Sequence, residues 1–238
     1  MPILYITMRA GLIYKSIINK VRNMLKQNML KLGTDESGKG DYFGYLVVAG
    51  VIVDENKELL LKALRVRDSK LLSEKQIFFL SAKIKKLCKY NIVKISPEKY
   101  NELYDKMKNL NKLLAWAHAR VIENLLEKYN VDVVISDQFG DKKFLEHALM
   151  KKGKKVKLIQ KIRAESEISV AAASILARAE FLLTLRKLSK QYFNNPNYLE
   201  KGADVENLAK KIVEKHGLQI LDKIAKRHFR ITKKILKS

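Results

Sequence analysis

From residue 31 onward the apolar positions switch repeatedly between strand and helix spacing, and each switch marks an element boundary. Residues 32–36 and 45–53 read as two strands, and the turn between them carries Gly38, Gly40 and Gly44. Ser73 and Gln76 form a capping-box pair ahead of a helical run to residue 88. Residues 90–95 read as another strand, after which Ser96-Pro97 supplies an N-cap followed by proline at the first helical position. A long amphipathic helix spans residues 110–128, with Asn109 and Asn111 at its start. Short apolar strands follow over residues 131–136 and 156–160. Nearer the N-terminus, Ile13, Ile17, Ile18, Val21, Met24 and Leu25 recur at helical spacing among Lys15, Lys20, Arg22 and Lys26, which predicts a basic amphipathic helix over residues 11–28. Strands alternating with helices make the fold class α/β.

Four acids stand out on this framework. Asp35 and Glu36 are adjacent at a strand end, directly before the glycines. Asp137 follows the strand at 131–136, at the C-terminal edge where open α/β sheets bind ligands. Glu165 stands at the entrance to a helix whose Ala171-Ala172-Ala173-Ser174 segment is small enough to pack closely behind the sheet. Each acid has an ordinary alternative use. Asp35 and Glu36 suit an acidic hairpin turn, and Asp137 suits a helix cap, although Asp141 is better placed for the helix starting near residue 142. Glu165 in a first helical turn would stabilise the helix dipole. Taken together, four acids from separate elements match a two-metal site, because neighbouring carboxylates repel unless a cation lies between them.

Charge adds the partner. With 48 Lys and Arg against 25 Asp and Glu, a formal charge of +23 over 238 residues favours a polyanion, and nucleic acid is the natural candidate. A membrane surface or thermal adaptation would produce a similar balance. The 47% hydrophobic content suffices for the core of one main domain. Cys88, the only cysteine, excludes an intrachain disulfide and a cysteine zinc site and suits a reducing cytosol. No stretch approaches the length of a transmembrane span, so a cytoplasmic protein with no membrane partner is expected.

In order along the chain, Asp35-Glu36-Ser37-Gly38-Lys39-Gly40, Asp68-Ser69-Lys70-Leu71-Leu72, Ser136-Asp137-Gln138-Phe139 and Ala164-Glu165-Ser166 resemble the motifs of type 2 ribonucleases H. The continuation Asp41-Tyr42-Phe43-Gly44, with Lys201-Gly202-Ala203 and Arg227-His228-Phe229 near the C-terminus, is more similar to the ribonuclease HIII branch than to HII. The resemblance implies a ribonuclease H-like fold, a mixed central sheet of about five strands flanked by helices, with a helical C-terminal region. It implies a catalytic domain over residues 31–238 behind an extension of residues 1–30. It further implies a monomer that cuts the RNA strand of RNA–DNA hybrids with Mg²⁺ or Mn²⁺, leaving 3′-hydroxyl and 5′-phosphate ends.

Residue by residue, Asp35, Glu36, Asp137 and Glu165 carry over as the catalytic and metal-binding quartet. Gly38, Lys39 and Gly40 carry over as the segment that follows the hybrid backbone, where the 2′-hydroxyl distinguishes ribose. Lys39 and Lys70 become phosphate partners, Tyr42 a ring stacked on sugar or base, and Phe43 a core residue. His118 and His228 are expected to make structural hydrogen bonds. Cleavage within ribonucleotide runs, HII-like incision at a single ribonucleotide, and hybrid binding without turnover are separate outcomes; the presence of all four acids argues against the last.

Ribonuclease HIII enzymes often carry an N-terminal substrate-binding domain resembling the TATA-binding protein, for which residues 1–30 are too few. The basic helix at 11–28 and the lysine-rich C-terminal region are the candidates to replace its affinity. Deleting residues 1–28 is therefore expected to weaken hybrid binding. If roughly four of its Lys and Arg side chains meet phosphates, the slope of log affinity against log salt falls by about 3–4. A binding titration across salt concentrations measures it, and an unchanged slope in a folded truncation removes the helix from the interface.

Overall fold

The computed structural model describes residues 29–199 and 204–237. The basic helix expected over 11–28 and the Lys201-Gly202-Ala203 motif lie outside the described residues. Strands β1 (Lys31–Ser37), β2 (Leu46–Val53), β3 (Lys89–Ile95), β4 (Val133–Asp137) and β5 (Lys157–Lys161) form one sheet in the order β3-β2-β1-β4-β5. The β1, β2 and β3 pairings are antiparallel, whereas β1 with β4 and β4 with β5 are parallel, so the sheet is mixed as expected.

Helices cover both faces. They are α1 (Glu55–Ala63), α2 (Glu74–Leu87), α3 (Pro97–Met107), α4 (Leu110–Leu126), α5 (Lys142–Ala148), α6 (Ile168–Phe193) and a C-terminal set, α7 (Val205–His216), α8 (Ile220–Ile224) and α9 (Arg230–Ile235). Local signals place several of their starts. Ser73 and Gln76 complete a reciprocal capping box, Ser96 caps α3 ahead of Pro97, Asn109 caps α4, and Asp141 caps α5.

Every position of β2 is buried because alternate residues feed different cores. Val47, Ala49, Val51 and Val53 pack with Ala172 and Leu176 of α6, while Leu46, Val48 and Ile52 pack with Leu114, Ile122 and Leu125 of α4. Helix α6 is the helix that most constrains β1. A Cβ added to Gly33 would lie 2.2 Å from the Ser169 carbonyl carbon and 2.3 Å from the Val170 nitrogen, so the missing side chain is what admits the helix backbone. By length and composition α6 is also apolar enough to cross a membrane, against the expectation that no stretch approaches that length. Most of its apolar window is buried inside the protein, and a helix enclosed on all sides reads as apolar as a membrane span.

Gly33→Ala is expected to destabilise the protein by about 3 kcal/mol, since the clash is with backbone that has no rotamer to move. Gly40→Ala is its control, because nothing lies within 4 Å of a Cβ built there; its stability should change by less than about 0.5 kcal/mol. Urea denaturation of both variants measures the difference.

Candidate active site

The parallel register pairs Thr34 with Ser136, so Asp35 and Asp137 leave neighbouring strands at the same edge of the sheet. Both line, with Glu36, an open cleft of about 490 Å³. The turn from Gly38 to Asp41 forms one wall; Ser69 and Lys70, from the short 3-10 turn Ser69–Leu71, form another, with Ser174 and Arg178 contributed by α6.

Strand alternation sends the two adjacent carboxylates to different partners. Asp35 shares its side of β1 with Gly33 and faces α6, where it is hydrogen-bonded by Ser174; its Oδ1 also accepts the Glu36 N–H at 2.8 Å. The Ser174 hydroxyl is in turn 2.7 Å from that of Ser69. Glu36 shares its side with Thr34 and faces α4. Its Oε2 lies 3.1 Å from Nε2 of the fully buried His118, and its Oε1 meets Lys39 Nζ at 2.5 Å. The His118 Nδ1 is 3.0 Å from the Thr34 hydroxyl, so with that hydroxyl donating, Nε2–H points its proton at the carboxylate. Asp137 accepts the Ala164 N–H at 3.1 Å.

Burial is the largest influence on both Asp35 and Glu36, yet they end in opposite states. Around Asp35, burial and then the Glu36 charge outweigh the hydrogen bonds from the Glu36 amide and Ser174, and Asp137 adds to them, so the carboxyl is pushed well above the usual range. Burial also opposes the Glu36 charge, but His118 and Lys39 overcome it and hold that carboxyl at about 2. Lys39 is raised in return: burial works against its charge, and Glu36, Asp35 and Asp137 prevail.

Among the described residues neither Asp35 nor Asp137 has a cation within ion-pairing distance. Hard oxygen donors with unbalanced negative charge fit a small divalent cation. No group of three or more His, Cys, Asp or Glu among the described residues forms a ready-made cluster. The donor set is therefore of the kind that leaves coordination positions to water and substrate phosphate, as Mg²⁺ usually requires.

Glu165 is partly buried in the 3-10 turn Ala164–Ser166 and does not line the cleft; it adjoins the cleft through Ala164, whose amide holds Asp137. Asp141 is exposed and occupied as a cap, accepting the Lys143 N–H at 2.9 Å. Lys39 and the exposed Lys70 also line the cleft. Tyr42 does not fit its expected stacking role. It is buried, with its hydroxyl 2.9 Å from Thr232 and its ring against Phe43 and Phe229, because the C-terminal region folds over it. Gly38 is a glycine for an internal reason: its φ is +89°, and a Cβ would meet the Tyr45 carbonyl at 2.1 Å. Among the described glycines, Gly40 alone has open space where a side chain would stand, which leaves room for a ligand.

His118 makes the structural hydrogen bonds expected of it, and its partner is an acid of the cleft; Ser174 and Arg178 are site residues that no motif marks. His118 lies on the apolar face of α4, four residues after Leu114 and four before Ile122, and a polar group there requires a buried partner. Ser174 reads in the sequence as a small packing residue, and Arg178 follows it by one helical turn.

The chain is similar to known proteins over most of its length. The Ribonuclease HII family profile matches residues 32–232. The chain is 48% identical over 207 residues to Ribonuclease HIII of Protochlamydia amoebophila, covering 86% of this chain and 68% of that protein. It is 44% identical over 213 residues to Ribonuclease HIII of Chlamydia felis, covering 87% and 70% respectively. Among solved structures it is similar to Bst-RNase HIII in complex with Mn²⁺, with a TM-score of 0.79 at 29% identity over 88% of this chain and 70% of that one.

Asp35→Asn removes the buried, repelled charge while keeping the shape. In metal-free buffer at neutral pH it is expected to melt at least about 3 °C above the wild type. The sign follows from the raised carboxyl: above its unfolded value of 3.8 the unfolded chain ionises more readily than the folded one, which costs the wild type stability. The gain should vanish below about pH 4, where both states are protonated. Thermal melts of both proteins across that range measure it.

Proposed function

This chain belongs to the ribonuclease HII family and is an endonuclease acting on RNA–DNA hybrids, and from that premise we propose that residues 31–238 cut the RNA strand with two divalent cations, Mg²⁺ or Mn²⁺, held by Asp35, Glu36, Asp137 and Glu165. The carrying observation is the level placement of Asp35 and Asp137 in one cleft, with Asp35 lacking the positive charge its ionised form requires. Bound there, the cations would supply Lewis-acid charge for activating water and stabilising the leaving oxygen. The products are a 3′-hydroxyl and a 5′-phosphate.

The protein's own groups do the rest. Ser174 and the Glu36 amide orient Asp35, the Ala164 amide orients Asp137, and His118 fixes Glu36 from behind. Lys39, Lys70 and Arg178 line the cleft with positive charge that neutralises phosphates on either side of the scissile bond. The open face at Gly40 lets the backbone of Gly38-Lys39-Gly40 follow the RNA strand, where the 2′-hydroxyl marks ribose. Glu165 stands one residue beyond the amide that grips Asp137, which supports it over Asp141 as fourth acid.

Side-by-side digestion of uniform RNA–DNA hybrid, double-stranded RNA, duplex DNA and duplex DNA with one ribonucleotide, with either cation, tests the proposal. Cleavage of the hybrid to 3′-hydroxyl ends is expected, and metal-independent cleavage would defeat it. Glu165→Gln is expected to lower metal-dependent turnover by at least about tenfold. Asp141→Asn, which preserves a helix cap, should stay within about threefold of wild type. The reverse ranking would replace Glu165 with Asp141 in the quartet.

A further inference from the structure

Among the described residues, the hydrolytic reaction leaves one buried lysine without a role. Lys226, between α8 and α9, is 0% exposed. Its Nζ lies 2.8 Å from the carbonyl oxygen of Asp41, 2.7 Å from that of Gly44 and 3.5 Å from that of Phe43. Its own backbone N–H donates to the Tyr42 carbonyl at 2.9 Å, so one residue takes all four carbonyls of residues 41–44. The contact is reciprocal: Gly44 N–H donates to the Ile224 carbonyl at 2.8 Å, and Phe43 bridges Ala225. From the far side Asn101 of α3 holds the same segment, donating to the Ala225 carbonyl at 2.9 Å and accepting the Arg227 N–H at 3.0 Å.

Enclosing an ammonium is costly, and a four-residue loop can be held by backbone pairing alone. Burial indeed pulls Lys226 down to about 7, with the Asp41 charge opposing and the Tyr100 ring 5.7 Å below it. What sets this loop apart is its position: residues 41–44 continue directly from Gly38-Lys39-Gly40 at the rim of the cleft and lead into β2. Three carbonyls gathered on one nitrogen hold the two ends of the loop, Asp41 and Gly44, at a set separation.

We propose that Lys226 is a positioning residue for substrate, clamping residues 41–44 so that Gly38-Lys39-Gly40 meets the RNA strand already rigid, which makes the C-terminal segment 224–227 part of the binding apparatus. The inference rests on the reading of Gly38-Lys39-Gly40 as the segment that follows the hybrid backbone. Holding the loop in its bound shape beforehand lowers the ordering cost of binding, so the clamp acts on affinity for hybrid more than on the hydrolytic step.

Lys226→Met keeps the apolar stem and removes every side-chain donor. The full chain, wild type and variant, is assayed on uniform hybrid with Mg²⁺, and amide hydrogen exchange is followed over residues 38–44 and over β1 and β4. Losing the equivalent of one charged hydrogen bond of loop order is expected to raise KM about tenfold and to speed exchange over 38–44 by a similar factor. The strands should exchange as in the wild type, and kcat should stay within about threefold. A lysine with only a structural role would lower the folded fraction, so that kcat falls with KM unmoved; that result, or unchanged exchange at 38–44, overturns the clamp. Where Lys226→Met does not stay folded, Asn101→Ala frees the segment from the α3 side and is read the same way, a raised KM supporting the clamp and an unmoved KM overturning it. A wild type that fails to cut hybrid defeats the underlying function as well, whereas a wild type that cuts beside a variant with unmoved KM defeats the clamp alone.

Discussion

The pairing of β1 with β4 in parallel, Thr34 level with Ser136, is the constraint on which the other features depend. Burial is the largest influence on Asp35, the adjacent Glu36 charge comes next, and the Asp137 carboxylate carried level with it adds a smaller repulsion. The hydrogen bonds from the Glu36 amide and Ser174 oppose these influences without outweighing them. The balance therefore tips towards a proton in the absence of a cation, as the raised Asp35 carboxyl reflects. The hydrogen bonding of Asp35 also dictates the packing behind it. Ser174 reaches Asp35 only because α6 lies close against β1, and α6 lies there only because residue 33 has no side chain.

Glu36 shows the complementary solution. It is as deeply enclosed, but His118 and Lys39 compensate its charge within the protein, so it stays ionised without a metal. Two adjacent acids of the same strand thus have different electrostatic characters, decided by which face of the sheet each side chain meets. The unpaired one is the acid that most needs an added cation.

The surplus of positive charge has little to do with holding the fold together. Exposed pairs such as Glu102 with Lys99 and Lys106 contribute little, because water screens them and each pair must order two long side chains. The partly buried Glu180 is better placed, since Lys85 of α2 and Lys94 of β3 both reach it from neighbouring elements. A net charge of +23 acts instead through its long-range field, which draws a polyanion towards a cleft lined by Lys39, Lys70 and Arg178.

Whatever depends on short spacings could be read from the chain directly. The five strands, the capping box at Ser73, the Ser96-Pro97 start of α3 and the delivery of Asp137 from a strand end all follow from nearest-neighbour chemistry, and the sheet confirms them. The run Ala171-Ala172-Ala173-Ser174 likewise marks α6 as able to pack closely behind the sheet. Tertiary structure decided the roles of residues whose partners are remote. His118 meets Glu36 across 82 residues and Tyr42 meets Thr232 across 190, so the first became a support for an acid and the second a core residue instead of a stacking ring. Lys226 reads in the sequence as one more lysine among many, and only the fold of the C-terminal segment over residues 41–44 encloses it. Spacing records which side chains share an element's face; the partner that satisfies a buried polar group is chosen by how the elements pack, which no local pattern contains.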